Sequence, residues 1–178
     1  MYEDLLRFWF DECAPAQWWG VDPAFDQAVR ARFAAVHQQA VAGELYGWRS
    51  DPRGRLAEVI VLDQFTRNLH RGSPAAFAAD PMALALAQEA VAAGLDAGLP
   101  VVQRNFLYMP YMHSESRQIH DVAQSLFAAT GNAATLAFEM KHKAIIERFG
   151  RYPHRNAILG RASTAEELVF LSTPGSSF

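Results

Sequence analysis

The sequence has almost no cysteine and no long apolar run, and both absences exclude whole classes of protein. Cys13 is the single cysteine in 178 residues, so no disulfide can form within the chain and no cysteine cluster with zinc spacing exists. No apolar stretch approaches the ~20 residues that cross a bilayer, and the acidic N-terminus differs from a basic signal peptide. We therefore expect a cytoplasmic protein in which Cys13 is a small buried apolar residue.

Charge of one sign is not in excess either. Lysine and arginine contribute 16 residues against 19 acidic ones, which gives a net charge of -3 and an isoelectric point near 6.0. This balance disfavours attraction of the whole protein to nucleic acid or to an anionic membrane, and we expect neither as a partner. With 51% hydrophobic residues, a chain of this length buries roughly 70% of its unfolded surface. We expect one domain over residues 1–178, with a loose tail at about 174–178.

The motifs of several common enzymes are missing as well. The sequence contains no GxGxxG, GxxxxGK[ST], HExxH or GxSxG pattern. These patterns support nucleotide, zinc-protease or α/β-hydrolase chemistry where they occur. We therefore predict no cofactor and no metal site, and the sequence leaves open whether the protein is an enzyme.

Helix start and stop residues, in contrast, recur along the whole chain. In Asp22-Pro23, Asp51-Pro52 and Asp80-Pro81 the aspartate is suited to cap a helix and the proline to occupy its first position. Ser163 and Thr164 precede Glu166 and Glu167 at the three-residue spacing of a capping box. With short connections, this pattern predicts an all-α fold of about seven to eight antiparallel helices. The predicted helices cover about 2–12, 23–43, 52–71, 81–94, 100–110, 115–130, 132–149 and a short segment from about 164.

The third predicted helix places an acid and a base on its buried side. Asp63 shares a stripe with Leu56 and Ile60, and Arg67 follows four residues later on the same face. Two interpretations stay open. The pair is either a structural ion pair that ties helices together, or Asp63 orients Arg67 toward a ligand.

The segment from Arg104 to Glu115 combines aromatic, methionine and polar side chains around Pro110. A proline at this place should end or kink the helix, and irregular backbone beside Tyr108, Tyr111 and His113 would form one wall of a pocket. The alternative is that the aromatic residues pack in the core and that Glu115 serves the start of the next helix.

Basic residues concentrate near the end of the chain. Arginine guanidinium groups bind carboxylate and phosphate oxygens in a bidentate manner, so this concentration predicts an anion site. A stripe of Phe138, His142, Ile145 and Phe149 predicts that His142 faces inward. The alternative is that the arginines cap carbonyls at the end of the preceding helix. The basic residues are Lys141, Lys143, Arg148, Arg151, Arg155 and Arg161, with Glu147 as the acid among them.

Five stretches together resemble a known family. They are Leu62–Asn68, Ala76–Asp80, Phe106–Glu115, Arg148–Asn156 with Leu159–Arg161, and Ser163–Glu167. On these motifs the sequence resembles the bacterial domain of unknown function 924, over nearly the whole chain. The resemblance implies a tetratricopeptide-like helical superhelix and supplies no activity, cofactor or catalytic residue. The sequence departs from the family at Met112, where an acidic residue is common. This departure weakens the argument for a metal site.

Together these features favour a helical protein that binds a small anionic ligand, or an acidic peptide or protein partner, in a polar cleft. The alternative is a hydrolase in which His113 or His154 acts as general base and Glu115 or Asp63 orients that histidine. An arginine would stabilise the developing negative charge, and a metal ion could assist the reaction. A second alternative is a purely structural polar network. Exposed apolar faces would also allow a homodimer. The predicted ligand-binding residues are Arg67, Arg104, Tyr108, His113, His142, Arg148, Arg151, His154 and Arg155.

Overall fold

The computed structural model describes residues 1–177, and in this range it contains helices and irregular segments but no strand. The all-α class is therefore confirmed. Phe178, the last residue of the predicted tail, lies outside the described residues. The α-helices are α1 (Tyr2–Arg7), α2 (Pro15–Trp19), α3 (Pro23–Val41), α4 (Pro52–Ile60), α5 (Thr66–Leu69), α6 (Asp80–Ala92), α7 (Val101–Met112), α8 (Arg117–Ala129), α9 (Ala133–Phe149) and α10 (Ala165–Leu171).

Two stretches of π-helix and three short 3-10 helices complete the secondary structure of the described residues. The π-helical turn Phe8–Glu12 continues α1, and the π-helical turn Val61–Phe65 joins α4 to α5. The predicted helices at 2–12 and 52–71 therefore each contain a change of helix type. The 3-10 helices are Tyr46–Ser50, Pro74–Phe77 and Pro153–Arg155.

The chain divides into two compact units. Unit 1 consists of Met1–Arg71 and Ala75–Pro110, and unit 2 of Gly72–Pro74 and the chain from Tyr111 on. Within residues 1–177, no helix has both the length and the apolar character needed to cross a membrane. The single domain and the tetratricopeptide-like superhelix stay predictions.

The aspartates before proline cap two of the three helices for which they were predicted. Asp22 accepts hydrogen bonds from the amides of Ala24 and Phe25, and Asp51 accepts from the amides at 53 and 54. The prediction for Asp80 was wrong. Asp80 is the first residue of α6 rather than its cap, and its carboxylate instead accepts two hydrogen bonds from Arg67.

The cap at Asp22 gives a first test of these assignments. We expect Asp22→Ala to lower the free energy of unfolding by about 1 kcal/mol, because two amides at the start of α3 lose their acceptor. Urea denaturation measures the change. Asp22→Asn preserves an acceptor and should cost only a few tenths of a kcal/mol, roughly. An equal loss in both variants would contradict a capping role.

Aromatic side chains fill the core of unit 1. Phe8 and Trp9 pack against Phe65, and Trp9 also packs against Phe106. The prediction for Cys13 is confirmed: its side chain is buried, and burial, assisted by the charge of Glu12, raises the pKa of its thiol to about 11. Cys13 is therefore an unreactive core residue at neutral pH.

In unit 2, α8 packs against α9, and glycine and threonine residues define the helix ends. Gly150 ends α9 in the left-handed conformation with φ of 70°, and its amide donates to the carbonyl of Ile146 at 2.8 Å. The predicted capping box is present in α10: the Glu167 amide donates to the Thr164 hydroxyl, and the Thr164 amide donates to the Glu167 carboxylate. Ser176, in the predicted loose tail, is buried and donates to the carbonyl of Leu171 at 3.2 Å.

Pro110 was expected to end or kink its helix, and an end at this residue is not found. Helix α7 continues through Pro110 to Met112. Proline removes a single amide hydrogen bond, and the side chains of Tyr111 and Met112 that follow it are almost fully buried. Burial of these two large side chains offsets the missing hydrogen bond.

Candidate functional site

Asp63 and Arg67 form the ion pair of unit 1 that their spacing predicts. Asp63 is fully buried and Arg67 is partly buried, with 3.2 Å between the Asp63 carboxylate and the Arg67 guanidinium. Arg67 also donates two hydrogen bonds to Asp80, at 2.9 and 3.1 Å, and lies over the ring of Phe77. The guanidinium is therefore held between two carboxylates and an aromatic ring.

Arg104 and Tyr108 have their own partners in unit 1. Arg104 donates to the carbonyl of Leu99 at 3.3 Å, and its Nε atom is buried without a hydrogen bond in the described residues. Tyr108 is buried and its hydroxyl donates to the carboxylate of Asp96. The contacts of Tyr108 within unit 1 are thus those of a core residue with a satisfied hydroxyl.

In unit 2, Glu115 joins two segments that are far apart in sequence. Its carboxylate accepts the amide of Tyr152 at 2.7 Å and two hydrogen bonds from Arg161 at 2.6 and 2.9 Å. Burial alone would raise the pKa of Glu115, but the hydrogen bonds from Arg161 and from the Tyr152 amide outweigh it and lower the pKa. The segment after α7 and the basic loop after α9 are thereby fixed together.

The guanidinium groups of Arg148 and Arg151 bind carboxylates of α10. Arg151 makes a bidentate contact with Glu167, at 2.6 and 2.8 Å, and donates to the carbonyl of Ala162. Arg148 donates to Glu166 at 2.8 Å on the surface. Both arginines therefore attach α10 to the end of α9.

Arg155 and His113 also meet in unit 2. Arg155 is buried, lies 4.7 Å from the centre of the Tyr152 ring, and donates to the carbonyl of His113 at 3.1 Å. The Tyr152 hydroxyl donates to the carbonyl of Met112 at 2.5 Å. Tyr152 thus forms the centre of this region, and its ring contacts His120, His142 and His154 in unit 2.

The two histidines predicted as ligand-binding residues on α9 and in the loop after it are kept neutral. Burial lowers the pKa of His142 to about 3, although a hydrogen bond from its Nδ1 to the Phe138 carbonyl opposes this effect. Burial also lowers the pKa of His154, to about 4, and the positive charge of Arg155 is the next cause. Both rings contact Tyr152.

Comparison with known proteins identifies the family of the chain. The model for a bacterial protein of unknown function (DUF924) matches residues 5–175. The chain belongs to this family. It is also similar to a solved structure of a protein of unknown function from Agrobacterium tumefaciens, with 37% identity, coverage of 96% of each chain and a TM-score of 0.92. No curated protein matches the chain.

Family membership confirms the resemblance that the motifs predicted. The basic motif Arg148–Asn156 and the polar segment before α8 both lie within the matched residues 5–175. The family description and the similar structure name no activity, so the site must be assigned from its chemistry.

One polar pair of this DUF924 protein was not predicted. His120 and Glu139 are both 0% exposed, and the His120 Nδ1 atom lies 2.7 Å from the Glu139 carboxylate. The His120 Nε2 atom contacts the carbonyl of Ser114 at 2.9 Å. Burial raises the pKa of Glu139, and this effect outweighs the opposing effect of His120.

The buried stripe of α9 explains why Glu139 was missed. The sequence pattern placed Phe138 on the stripe of His142, but Phe138 is 54% exposed, and the buried positions are Glu139, His142, Ile145 and Ile146. A glutamate is tolerated on this face because His120 supplies its hydrogen-bond partner. The spacing of His120, Ala123 and Phe127 on α8 would have indicated an inward-facing histidine.

Within residues 1–177, no group of three or more histidine, cysteine, aspartate or glutamate side chains is arranged to hold a metal ion.

Proposed function

We propose that the protein binds a small anionic ligand in unit 2, beside His154 and Arg155. The observation that supports this site is the positive charge around His154. After burial, Arg155 is the largest cause of its lowered pKa, and His113 and Arg161 act in the same direction, while Glu115 opposes them. A bound anion would offset this repulsion, and its negative charge would be stabilised in a partly desolvated place.

The proposed ligand set is smaller than the set predicted from the sequence. Arg148, Arg151 and Arg161 are engaged by glutamate carboxylates, so we assign them to holding the loop in position. His142 donates its Nδ1 proton to a backbone carbonyl and packs on Tyr152. The proposed ligand-binding residues of unit 2 are His113, His154 and Arg155.

The ligand chemistry is that of a phosphate or carboxylate group. Such a group occurs in small metabolites and at the end of an acidic peptide, and guanidinium and imidazolium groups recognise both. The homodimer and the cytoplasmic location stay predictions from the sequence. The hydrolase with His113 or His154 as general base also stays a prediction from the sequence. The pair of His120 and Glu139 is not a candidate for it, because both side chains are fully buried and offer a substrate no access.

Binding of inorganic phosphate tests the proposal. We expect His154→Ala and Arg155→Gln each to weaken phosphate binding about tenfold or more, because each removes a positively charged or proton-accepting partner. Isothermal titration calorimetry at low ionic strength measures the affinity, and circular dichroism checks that the helices are retained.

Arg151→Gln is the matched control. Arg151 lies in the same loop but is held by Glu167, so its loss should lower thermal stability and leave phosphate affinity unchanged. The proposal fails if His154→Ala and Arg155→Gln bind phosphate as the wild type does, or if Arg151→Gln weakens binding as much as they do.

A further inference from the structure

Unit 1 contains an open pocket of about 380 Å³ between α3 and the end of α5. This volume suits a small molecule. Its lining combines four polar groups with aliphatic side chains, and it does not include any residue of the proposed anion site. Among the lining residues are Arg30, His37, Gln38 and His70, with Val41 and Leu69 as apolar walls.

The hydrogen bonds of His37 determine which of its two ring nitrogens can accept a hydrogen bond from a ligand in the pocket. His37 Nε2 lies 2.9 Å from the hydroxyl of Thr66, and that hydroxyl donates to the carbonyl of Val61 at 3.3 Å. Because the hydroxyl proton is used, Nε2 must donate, and Nδ1 of the neutral ring has a lone pair. Within residues 1–177, Nδ1 makes no hydrogen bond, so it offers an acceptor to a ligand.

The neutral state of His37 follows from its surroundings. Burial lowers the pKa of His37, and the neighbouring ring of His70, with its centre 5.3 Å away, acts in the same direction. A carboxylate oxygen placed against the Nδ1 lone pair would be repelled. The group of the ligand that faces His37 must therefore be a hydrogen-bond donor such as a hydroxyl.

Arg30 supplies a positive charge to the lining of the pocket. It is exposed and donates one hydrogen bond to the carbonyl of Leu69. Asp26, the acid one turn earlier on α3, is bound by Arg71 at 2.7 and 2.9 Å and by Asn68 at 2.8 Å. The two arginines thus outnumber this single carboxylate, and the remaining N–H groups of Arg30 suit a ligand carboxylate.

Arg30 and His37 both line the pocket from α3. Arg30 and His37 are seven residues apart on one helix, which is a rise of about 10 Å, and a bent arginine side chain shortens the gap between their polar atoms. From this geometry we propose that the pocket binds a small aliphatic hydroxy acid, with its carboxylate on Arg30, its hydroxyl donating to His37 Nδ1 and its carbon chain against Val41 and Leu69.

Nuclear magnetic resonance of the histidine Cε1–H groups tests this pocket with 4-hydroxybutyrate as the probe. We expect saturable shifts of the His37 and His70 resonances, and we expect the same shifts in the variant His154→Ala, which removes a residue of the proposed anion site. Butyrate lacks the hydroxyl and 1,4-butanediol lacks the carboxylate, and each should bind about tenfold more weakly, because each loses one hydrogen-bonded or charged contact.

Arg30→Gln and Arg32→Gln form a matched pair of variants. Both residues lie on the surface of α3, but Arg32 pairs with Glu12 and does not line the pocket. Arg30→Gln should weaken 4-hydroxybutyrate binding about tenfold, and Arg32→Gln should leave it unchanged. The proposal is overturned if His37 and His70 show no saturable shift, if butyrate binds as tightly as 4-hydroxybutyrate, or if Arg30→Gln has no effect.

Discussion

Replacing Glu139 with alanine is expected to lower the free energy of unfolding by about 3–5 kcal/mol, through the loss of a buried hydrogen bond together with the cavity that alanine leaves. Glu139 and His120 are fully buried in unit 2, and the carboxylate is the partner of His120 Nδ1. Alanine leaves the imidazole nitrogen without a partner in a place that water does not reach, and it also opens a cavity. Urea denaturation at pH 7 measures the loss.

The chemistry of the pair predicts which substitution is tolerated. Burial raises the pKa of Glu139 and so shifts this group toward its protonated form, and its Oε2 atom has no hydrogen bond in the described residues. The acid then donates to His120 Nδ1, while Nε2 donates to the Ser114 carbonyl. The amide of Glu139→Gln can donate in the same way, so this variant should lose less than about half as much stability as Glu139→Ala.

Glu147→Ala serves as the control on the same helix. Glu147 is exposed and lies 3.9 Å from Lys143, a contact of the kind that contributes less than about 1 kcal/mol. If Glu139→Ala unfolds within about 1 kcal/mol of the wild type, the pair does not have the structural role assigned to it.

Acid is expected to destabilise the wild-type protein more than the variant Glu167→Gln. In the folded protein the pKa of Glu167 is lowered to about 2, chiefly by the hydrogen bonds from Arg151, with a further contribution from the Thr164 amide. The ordinary value is 4.5. The unfolded chain therefore takes up a proton at a higher pH than the folded protein does, and the stabilisation from Glu167 is complete above pH 4.5 and is lost as the pH falls toward 2.

The size of this effect is about 2 kcal/mol, after allowance for the partial exposure of Arg151 to solvent. The measurement is the free energy of unfolding in urea at pH 7 and at pH 3. Glu167→Gln should be less stable than the wild type at pH 7. Between pH 7 and pH 3 it should lose less stability than the wild type does. The pKa of Glu115 is also lowered in the folded protein, so Glu167→Gln should still lose some stability at low pH.

Glu166→Gln is the control for the acid experiment. Glu166 is the neighbour of Glu167 on α10 and pairs with Arg148 on the surface, so its substitution should retain the full loss at low pH. Equal losses in the wild type and in Glu167→Gln would contradict the role of the Arg151–Glu167 pair.

The fold was predictable because local rules determine most of its helices. Asp22 and Asp51 cap their helices through side-chain hydrogen bonds, and Gly150 ends α9 with a left-handed residue, all within a few residues of sequence. Asp80 follows the same sequence rule but binds Arg67 instead, because a carboxylate gains more from a guanidinium than from capping amides. A pattern of residues that are adjacent in sequence cannot identify such a competing partner, because Arg67 lies 13 residues away from Asp80.

The sequence predicts which segments form the candidate site, but it does not predict which side chains of these segments form ion pairs with each other. The basic loop after α9 and the polar segment containing Glu115 were both identified by composition. Which arginine binds which glutamate depends on the packing of α10, and this packing assigns Arg151 to Glu167 and Arg161 to Glu115. The buried pair of His120 and Glu139 was missed because a glutamate on an apolar stripe is ordinarily placed on the solvent side.

The pKa of His154 with and without inorganic phosphate is the most direct test of the proposed anion site. The resonance of its Cε1–H group, followed from about pH 3 to pH 7, reports this pKa. The account predicts a value of about 4 without phosphate, and a rise by about one pH unit when phosphate binds beside Arg155, because a nearby anion favours the protonated ring. An unchanged pKa of His154 at saturating phosphate would contradict the account.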